Sequence, residues 1–331
     1  MTIRNILKII EETKANFILL LCHQNADPDA LCSAYAFQGL LRHFAPKAVV
    51  EIGAGQGISK LSKYMLENTK IIVNAEPRVE NAEVIVLLDT NTVQQLGKLA
   101  EKVEKSSAPI IVVDHHAPHP ETLKRSSFCV TNEGASSTCE VVYDFFKQAD
   151  VRPNENEAQA LFLGIAFDSR HFALANASTL KTVAELCDYG VDPQETIALL
   201  ALPMDFSERV ARMKACRRAK LVKIDKWMIA FSHVSAFEAS AARALVDLGA
   251  HAAAVAGERD GNVEVSFRCT REFVEEAGVH LGKDLATPLG ELLHGMGGGH
   301  AGAAGANGVG DVQTALKHCL RLFKERLSAT G

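Results

Sequence analysis

Residues 23–29 read His-Gln-Asn-Ala-Asp-Pro-Asp and place one imidazole and two carboxylates, His23, Asp27 and Asp29, within seven positions. Asp89 follows, then the run Asp114-His115-His116, then Asp168. Carboxylates with one or two imidazoles and no thiolate suit hard or borderline cations such as Mn2+ or Mg2+. Carboxylates gathered on one rim repel each other strongly unless a cation lies among them. Two divalent ions about 3.5–4 Å apart would relieve that repulsion and form a centre that hydrolyses phosphoesters. Taken singly, each residue has a plainer role: a lone Asp after a strand usually caps a helix or shapes a turn. The ordered combination of His-x-x-x-Asp-x-Asp, a lone Asp and Asp-His-His, each after an apolar run, favours the metal.

The elements that must position these groups are short apolar runs: 17–23, 48–53, 71–74, 83–89 and 109–116. Rich in Val, Ile and Leu, they read as strands buried on both faces. Helix-compatible stretches at 30–43, 57–68 and 92–105 separate them, so a parallel sheet with crossover helices is expected. Ligands in such sheets bind beyond the carboxyl ends of the strands, where these acids and histidines fall. Helical patterns continue at 134–149, 155–166, 178–189 and 193–201. Ser136, Ser137 and Thr138 fit either hydroxyl donors or an N-cap. A basic run from Arg209 to Lys223 reads as a connecting helix, more simply a solvated face than a rim that tracks substrate. Beyond it the pattern turns to strands, with Asp260-Gly261 marking a hairpin, a Gly-rich segment at 295–308, and a last helix at 311–327 with Asp311 as its N-cap. The expected architecture is α/β: an N-terminal parallel-sheet domain with helices on both faces (1–200), a connecting helix (201–225), and a smaller C-terminal α/β domain with a mixed sheet (226–331).

The 331 residues are 47% hydrophobic and 23% charged, which excludes a disordered or fibrous chain and fits about two domains. A net charge of −5 argues against a protein that coats duplex DNA, but two divalent cations would bring it close to neutrality and leave short anionic substrates open. Eight cysteines without a C-x-x-C pair read as reduced, mostly buried thiols. Residues 3–10 read as an amphipathic helix rather than a signal peptide. No apolar run approaches the roughly 20 residues of a membrane helix, so the expectation is a cytoplasmic protein without membrane contact. Gly53, Gly55 and Gly57 do not complete the dinucleotide fingerprint, which argues against a Rossmann cofactor.

The sequence resembles the DHH phosphoesterase superfamily over nearly its whole length. HQNADPDALCS (23–33), VIVLLDT (84–90) and IIVVDHH (110–116) are similar to its first three motifs, and GASSTCEVVYDF (134–145) and GIAFDS (164–169) to the segments that follow. GGGHAGAAG (297–305) resembles the signature of the DHH-associated C-terminal domain. The resemblance implies two Mn2+ ions, with Mg2+ as a substitute. His23, Asp27 and Asp89 would hold one; Asp29, Asp89, His115 and Asp168 would hold the other. It implies that Asp114 orients the histidines and that His116 faces the scissile phosphate or leaving oxygen as a catalytic group. Arg268, Gly297, Gly298, Gly299 and His300 would bind substrate. The chain departs from the family pattern after Asp168, where Ser169-Arg170-His171-Phe172 replaces Thr-Gly-x-Phe, and at Pro28, where Gly is frequent.

The implied activity is a Mn-dependent phosphodiesterase or exonuclease that activates water with two metals. Its substrates would be short single-stranded oligonucleotides (nanoRNA) or nucleotides such as 3′-phosphoadenosine 5′-phosphate. Alternatives are a RecJ-like single-strand exonuclease, a cyclic or linear dinucleotide phosphodiesterase, and a non-enzymatic nucleotide sensor or replication partner. An inorganic pyrophosphatase fits less well, because its second domain lacks the GGGH signature. The exposed face of helix 134–149 leaves room for a homodimer.

Overall fold

A computed structural model describes residues 2–328; Met1 and residues 329–331, the outer ends of the two expected domains, lie outside the described residues. The chain divides into two compact units at Leu202 and Pro203.

The first unit is built on five parallel strands, β1 (Phe17–Cys22), β2 (Val49–Gly53), β3 (Val84–Leu88), β4 (Ile110–Asp114) and β5 (Phe128–Thr131), in the order β2-β1-β3-β4-β5. Alternate residues feed two separate cores. Ile18, Leu20, Val84, Val86, Ile111 and Val113 pack on one face, against the helices Pro28–Phe44, Thr138–Ala149 and Glu155–Asp168. Leu19, Leu21, Ile85, Leu87, Ile110 and Val112 pack on the other, against Val93–Leu99 and Ala100–Lys105. Burial on both faces is why these strands are continuous apolar runs rather than alternating ones. The order reverses between β1 and β3: the chain moves outward to β2, then returns to the other side of β1. Crevices open at the carboxyl ends of strands at such a switch point.

Two strand assignments differ from the sequence reading. Residues 71–74 form only an isolated bridge, Gly53 to Asn74, outside β2. Ile72 there is 83% exposed, so the run does not have two buried faces. The fifth strand is β5 instead, a four-residue edge strand of half-buried residues with too weak an apolar signal to stand out.

The second unit carries a six-stranded mixed sheet. Its strands are β6 (Lys220–Ile224), β7 (Trp227–His233), β8 (Ala252–Arg259), β9 (Asn262–Cys269), β10 (Met296–Gly299) and β11 (Ala303–Val309), ordered β10-β11-β9-β8-β7-β6. Only β7 and β8 pair in parallel. The residues expected to connect the domains, 201–225, contribute helix Phe206–Arg218 and β6 to this unit. The expected hairpin joins β8 to β9 through Asp260 (φ 53°) and Gly261 (φ 77°), both left-handed as a two-residue turn of this twist requires. Asp311 caps the last helix, Val312–Ser328, by accepting from the amides of Gln313 and Thr314.

The Gly-rich segment is not a free loop. β10 pairs with β11 and lies backbone to backbone on the helical stretch 281–292. A Cβ at Gly297 would stand 1.7 Å from the carbonyl oxygen of Ala286, whereas one at Gly298 would meet nothing within 4 Å. Close approach, rather than a phosphate cradle, is therefore the first demand on Gly297. Accordingly, Gly297→Ala should destabilise the protein by about 1–3 kcal/mol through overpacking, and Gly298→Ala should leave the thermal midpoint nearly unchanged. Equal midpoints for the two variants would refute this account.

Candidate metal centre

The ends of β1, β3 and β4, together with the ends of two helices, bring His23, Asp27, Asp29, Asp89, Asp114, His115, His116 and Asp168 into three overlapping groups. These are His23-Asp27-Asp89, Asp29-His115-Asp168 and Asp89-Asp114-His115-His116, and within each group one ligand atom per residue lies within 4.8 Å of the others. Asp89 belongs to two of the groups. Its Oδ2 is 3.8 Å from Nε2 of His23, and its Oδ1 is 3.6 Å from Nε2 of His115 and 3.6 Å from Nδ1 of His116.

Each group is held from behind. Nδ1 of His23 lies 2.8 Å from the carbonyl of Gln24; donation there leaves Nε2 as the free donor atom facing Asp27 at 3.7 Å. Asp27 is the N-cap of Pro28–Phe44: its Oδ1 accepts from the amide of Ala30 at 3.1 Å, and its Oδ2 faces His23. The plain capping role and the metal-facing role are filled by different oxygens of one carboxylate. Asp29 is wholly buried and accepts from the amides of Thr138 (2.7 Å) and Cys139 (3.0 Å), at the start of helix Thr138–Ala149. Unsatisfied amides at a helix start suit a carboxylate. Asp114 accepts at Oδ1 from both the amide and Nδ1 of His116, each at 2.8 Å, leaving the exposed end of that ring free.

One group was left open by the sequence, as hydroxyl donor or N-cap, and another was missed. The Thr138 hydroxyl donates to Oδ1 of Asp89 at 3.0 Å. Its neighbour Ser137, not Thr138, is the N-cap, accepting from the amide of Glu140. Gly164 is the other: a Cβ there would stand 2.6 Å from Oδ1 of Asp29. The GASSTCE and GIAFDS segments held these residues, but only their packing against Asp29 and Asp89 reveals what they do.

Asp168 is the last residue of its helix, with Oδ2 3.1 Å from Nε2 of His115. The next turn is unusual: Arg170, His171 and Phe172 have φ of 51°, 55° and 68°. Left-handed backbone costs non-glycine residues about 1–2 kcal/mol each. Bonds from the amide of His171 to the carbonyl of Ala166 and from the amide of Phe172 to the Ser169 hydroxyl offset it. The turn leaves Arg170 and His171 exposed, and neither belongs to a donor group.

The electrostatics show what the cluster lacks. Burial, then repulsion from Asp27, Asp114 and Asp168, pushes Asp89 up to about 7 despite the nearby His115. Burial, then Asp89, Asp168 and Asp27, raises Asp29 well above the usual carboxylate range. Burial opposes protonation of His23, but hydrogen bonding to Asp27 and Gln24 and the charge of Asp89 carry it to about 9. The buried Oδ2 of Asp114 and Nε2 of His115 have no hydrogen-bond partner: Nε2 is close to two carboxylates but aligned for a bond with neither. Crowded carboxylates, orphaned buried polar atoms and no ionised sulfur fit divalent cations. The thiols of Cys22, Cys32 and Cys139 are buried nearby, and burial followed by the surrounding aspartates drives each well above its ordinary value.

The remaining predicted residues lie in the second unit. Arg268 is half-buried on β9, its Nη1 donates to the carbonyl of Phe267, and its buried Nε has no partner. His300 is exposed in the turn after β10, and its amide donates to the carbonyl of Ala303. Ser266, Gly298 and Gly305 line a shallow cavity of about 380 Å³ on the same sheet.

The DHH family N-terminal domain matches residues 17–165, the segment that carries every donor but Asp168. An uncharacterized protein of Methanocaldococcus jannaschii is 33% identical over 329 residues, 96% of this chain and 98% of that one. The chain belongs to the DHH phosphoesterase superfamily. A probable bifunctional oligoribonuclease and PAP phosphatase of Streptococcus mutans is 27% identical over 212 residues, 62% of this DHH chain and 63% of the relative. Among solved structures, an exopolyphosphatase-related protein of Bacteroides fragilis aligns over 99% of this chain and 96% of its own, with a TM-score of 0.64 and 18% identity, a likeness of fold.

Two outcomes follow from the cluster. Asp89 and Asp29 hold protons in the folded state that the unfolded chain releases near 3.8, and His23 keeps its proton up to about 9 against 6.5 when unfolded. In both cases the folded state binds the extra proton, so stability falls as pH rises. The metal-free protein should therefore melt at a lower temperature at pH 8.5 than at pH 5.5. Asp89→Asn should flatten that dependence, and a midpoint that rises with pH would count against it. Separately, Thr138→Val should weaken divalent-cation binding by about 10–100-fold, the usual effect of losing a supporting hydrogen bond to a ligand. Calorimetric titration of metal into the two proteins decides it.

Proposed function

We propose that this DHH phosphoesterase is a manganese-dependent phosphodiesterase that releases mononucleotides from short oligonucleotides and also acts on nucleotides such as 3′-phosphoadenosine 5′-phosphate. The observation that carries the reading is the meeting of three donor groups, linked through Asp89 and His115, at the switch point of a parallel sheet. The similarity to the probable oligoribonuclease and PAP phosphatase of Streptococcus mutans supports the substrate class. Manganese is favoured because carboxylates are joined by imidazoles, a donor mixture less suited to magnesium.

In this reading His23, Asp27 and Asp89 would hold one ion, and Asp29, Asp89, His115 and Asp168 would hold a second. Bound divalent ions would supply charge neutralisation and a strongly nucleophilic water at neutral pH. The protein's own groups do the rest. The amides of Thr138 and Cys139 and the Thr138 hydroxyl fix the carboxylates of Asp29 and Asp89 in place. Hydrogen bonding to Asp114 raises His116 above the ordinary imidazole value. With its side chain 56% exposed, His116 can carry a proton to a leaving oxygen. The second unit, as a DHH-associated substrate domain, would grip the nucleotide through Arg268, whose planar fork suits phosphate. His300 beside Gly299 would contribute a further contact.

The test is purified protein with Mn2+ and end-labelled di- to pentaribonucleotides, alongside phosphate release from 3′-phosphoadenosine 5′-phosphate. Mononucleotide release that disappears in Asp89→Asn, and a raised KM with a smaller change in kcat in Arg268→Ala, are the expected results. Absence of both activities, or activity that survives Asp89→Asn, would overturn the reading.

A further inference from the structure

The basic run that read as a solvated face does not end as one. Arg212 is spent within its own unit, donating to Ser240 and lying 3.6 Å from Glu208. Arg218 turns inward instead, and its Nη1 donates to the carbonyl of His233, which fixes the guanidinium. Arg218, Lys220 of β6 and Lys317 of the last helix wall a cavity of about 300 Å³ with no carboxylate in its lining. No ion pair engages these three cations among the described residues. The imidazole of His233, also in the wall, is held below its ordinary value by burial and then by Arg218 and Lys220. A local excess of positive charge is unexpected on a chain of net charge −5.

The floor has a different chemistry. Val222, Phe231, Leu316 and Leu320 form it, half-buried except Phe231, which is 5% exposed and packs edgewise on Phe323. The exposed amide of Gln313 stands at the rim and can both donate and accept. Three cations suit a dianion better than a single carboxylate. An apolar floor excludes inorganic phosphate and sugar phosphates as well-matched occupants, since neither has an apolar surface to bury. The volume is at the small end for ligand sites, too small for a dinucleotide.

We propose that this cavity binds a nucleoside monophosphate, with the phosphate among Arg218, Lys220 and Lys317, the base face on Phe231 and Leu316, and the base edge at Gln313. The site shares no residue with the metal cluster, which lies wholly in the first unit, and involves neither Arg268 nor His300.

The test uses full-length protein carrying Asp89→Asn and Arg268→Ala, so that neither the cluster nor Arg268 contributes, titrated calorimetrically with adenosine 5′-monophosphate. Saturable binding is expected, weakened at least about tenfold when Lys220→Glu and Lys317→Glu are added. Inorganic phosphate and octanoate should each bind more weakly than the nucleotide. With Asp89 and Arg268 restored, the two lysine changes should leave metal-dependent hydrolysis and the thermal midpoint unchanged. No saturable binding, an affinity unaffected by the lysine changes, phosphate binding as tightly as the nucleotide, or octanoate binding more tightly would each overturn the proposal.

Discussion

Everything in the first unit turns on mutual repulsion among carboxylates that the fold forces together. Asp27, Asp29, Asp89 and Asp168 come from three places in the chain and meet where they cannot all ionise comfortably. A structure that tolerates this must hold each group firmly from outside, and the supports are visible: a helix start beneath Asp29, a hydroxyl on Asp89, a cap at Asp27. The surrounding core supplies the rigidity, since each fully buried Leu, Ile or Phe contributes about 1.5–3 kcal/mol. The cluster is thus a locally unfavourable arrangement maintained by a favourable scaffold, as is common where residues are placed for chemistry.

How much of this could be read from the sequence depends on range. The donors were legible because each follows directly on an apolar strand or sits in a short motif, so a local pattern reports a spatial fact. The doubly buried strands β1, β3 and β4 were legible for the same reason. Thr138 was not, because its partner Asp89 is 49 positions away and its own neighbourhood reads equally well as a helix cap. Residues 71–74 and β5 show a second kind of failure. An apolar run at the sheet margin is not obliged to pair, and a margin strand buried on neither face fully does not need to be apolar.

The Gly-rich segment shows that one composition can answer two demands. A glycine next to a ligand and a glycine beneath a neighbouring backbone look identical in a sequence, and the packing of Gly297 and Gly298 separates them. The basic run from 209 to 223 divides in a similar way, into side chains with acidic partners and side chains without. Charge counted along a chain says little until the neighbours contributed by distant elements are known.

The three thiols packed behind the cluster have an effect by remaining what they are. Cys22 donates to the carbonyl of Ala30, and Cys139 to that of Asp29, so their hydrogens are engaged as well as energetically hard to remove. A sulfur that keeps its hydrogen is a poor ligand, because soft cations bind the ionised form. Sulfur sits within the shell of residues around the aspartates, and those aspartates add to burial in keeping it neutral. The groups that face the centre are carboxylate oxygens and imidazole nitrogens, while the sulfurs behind them contribute bulk and hydrogen bonds instead of charge.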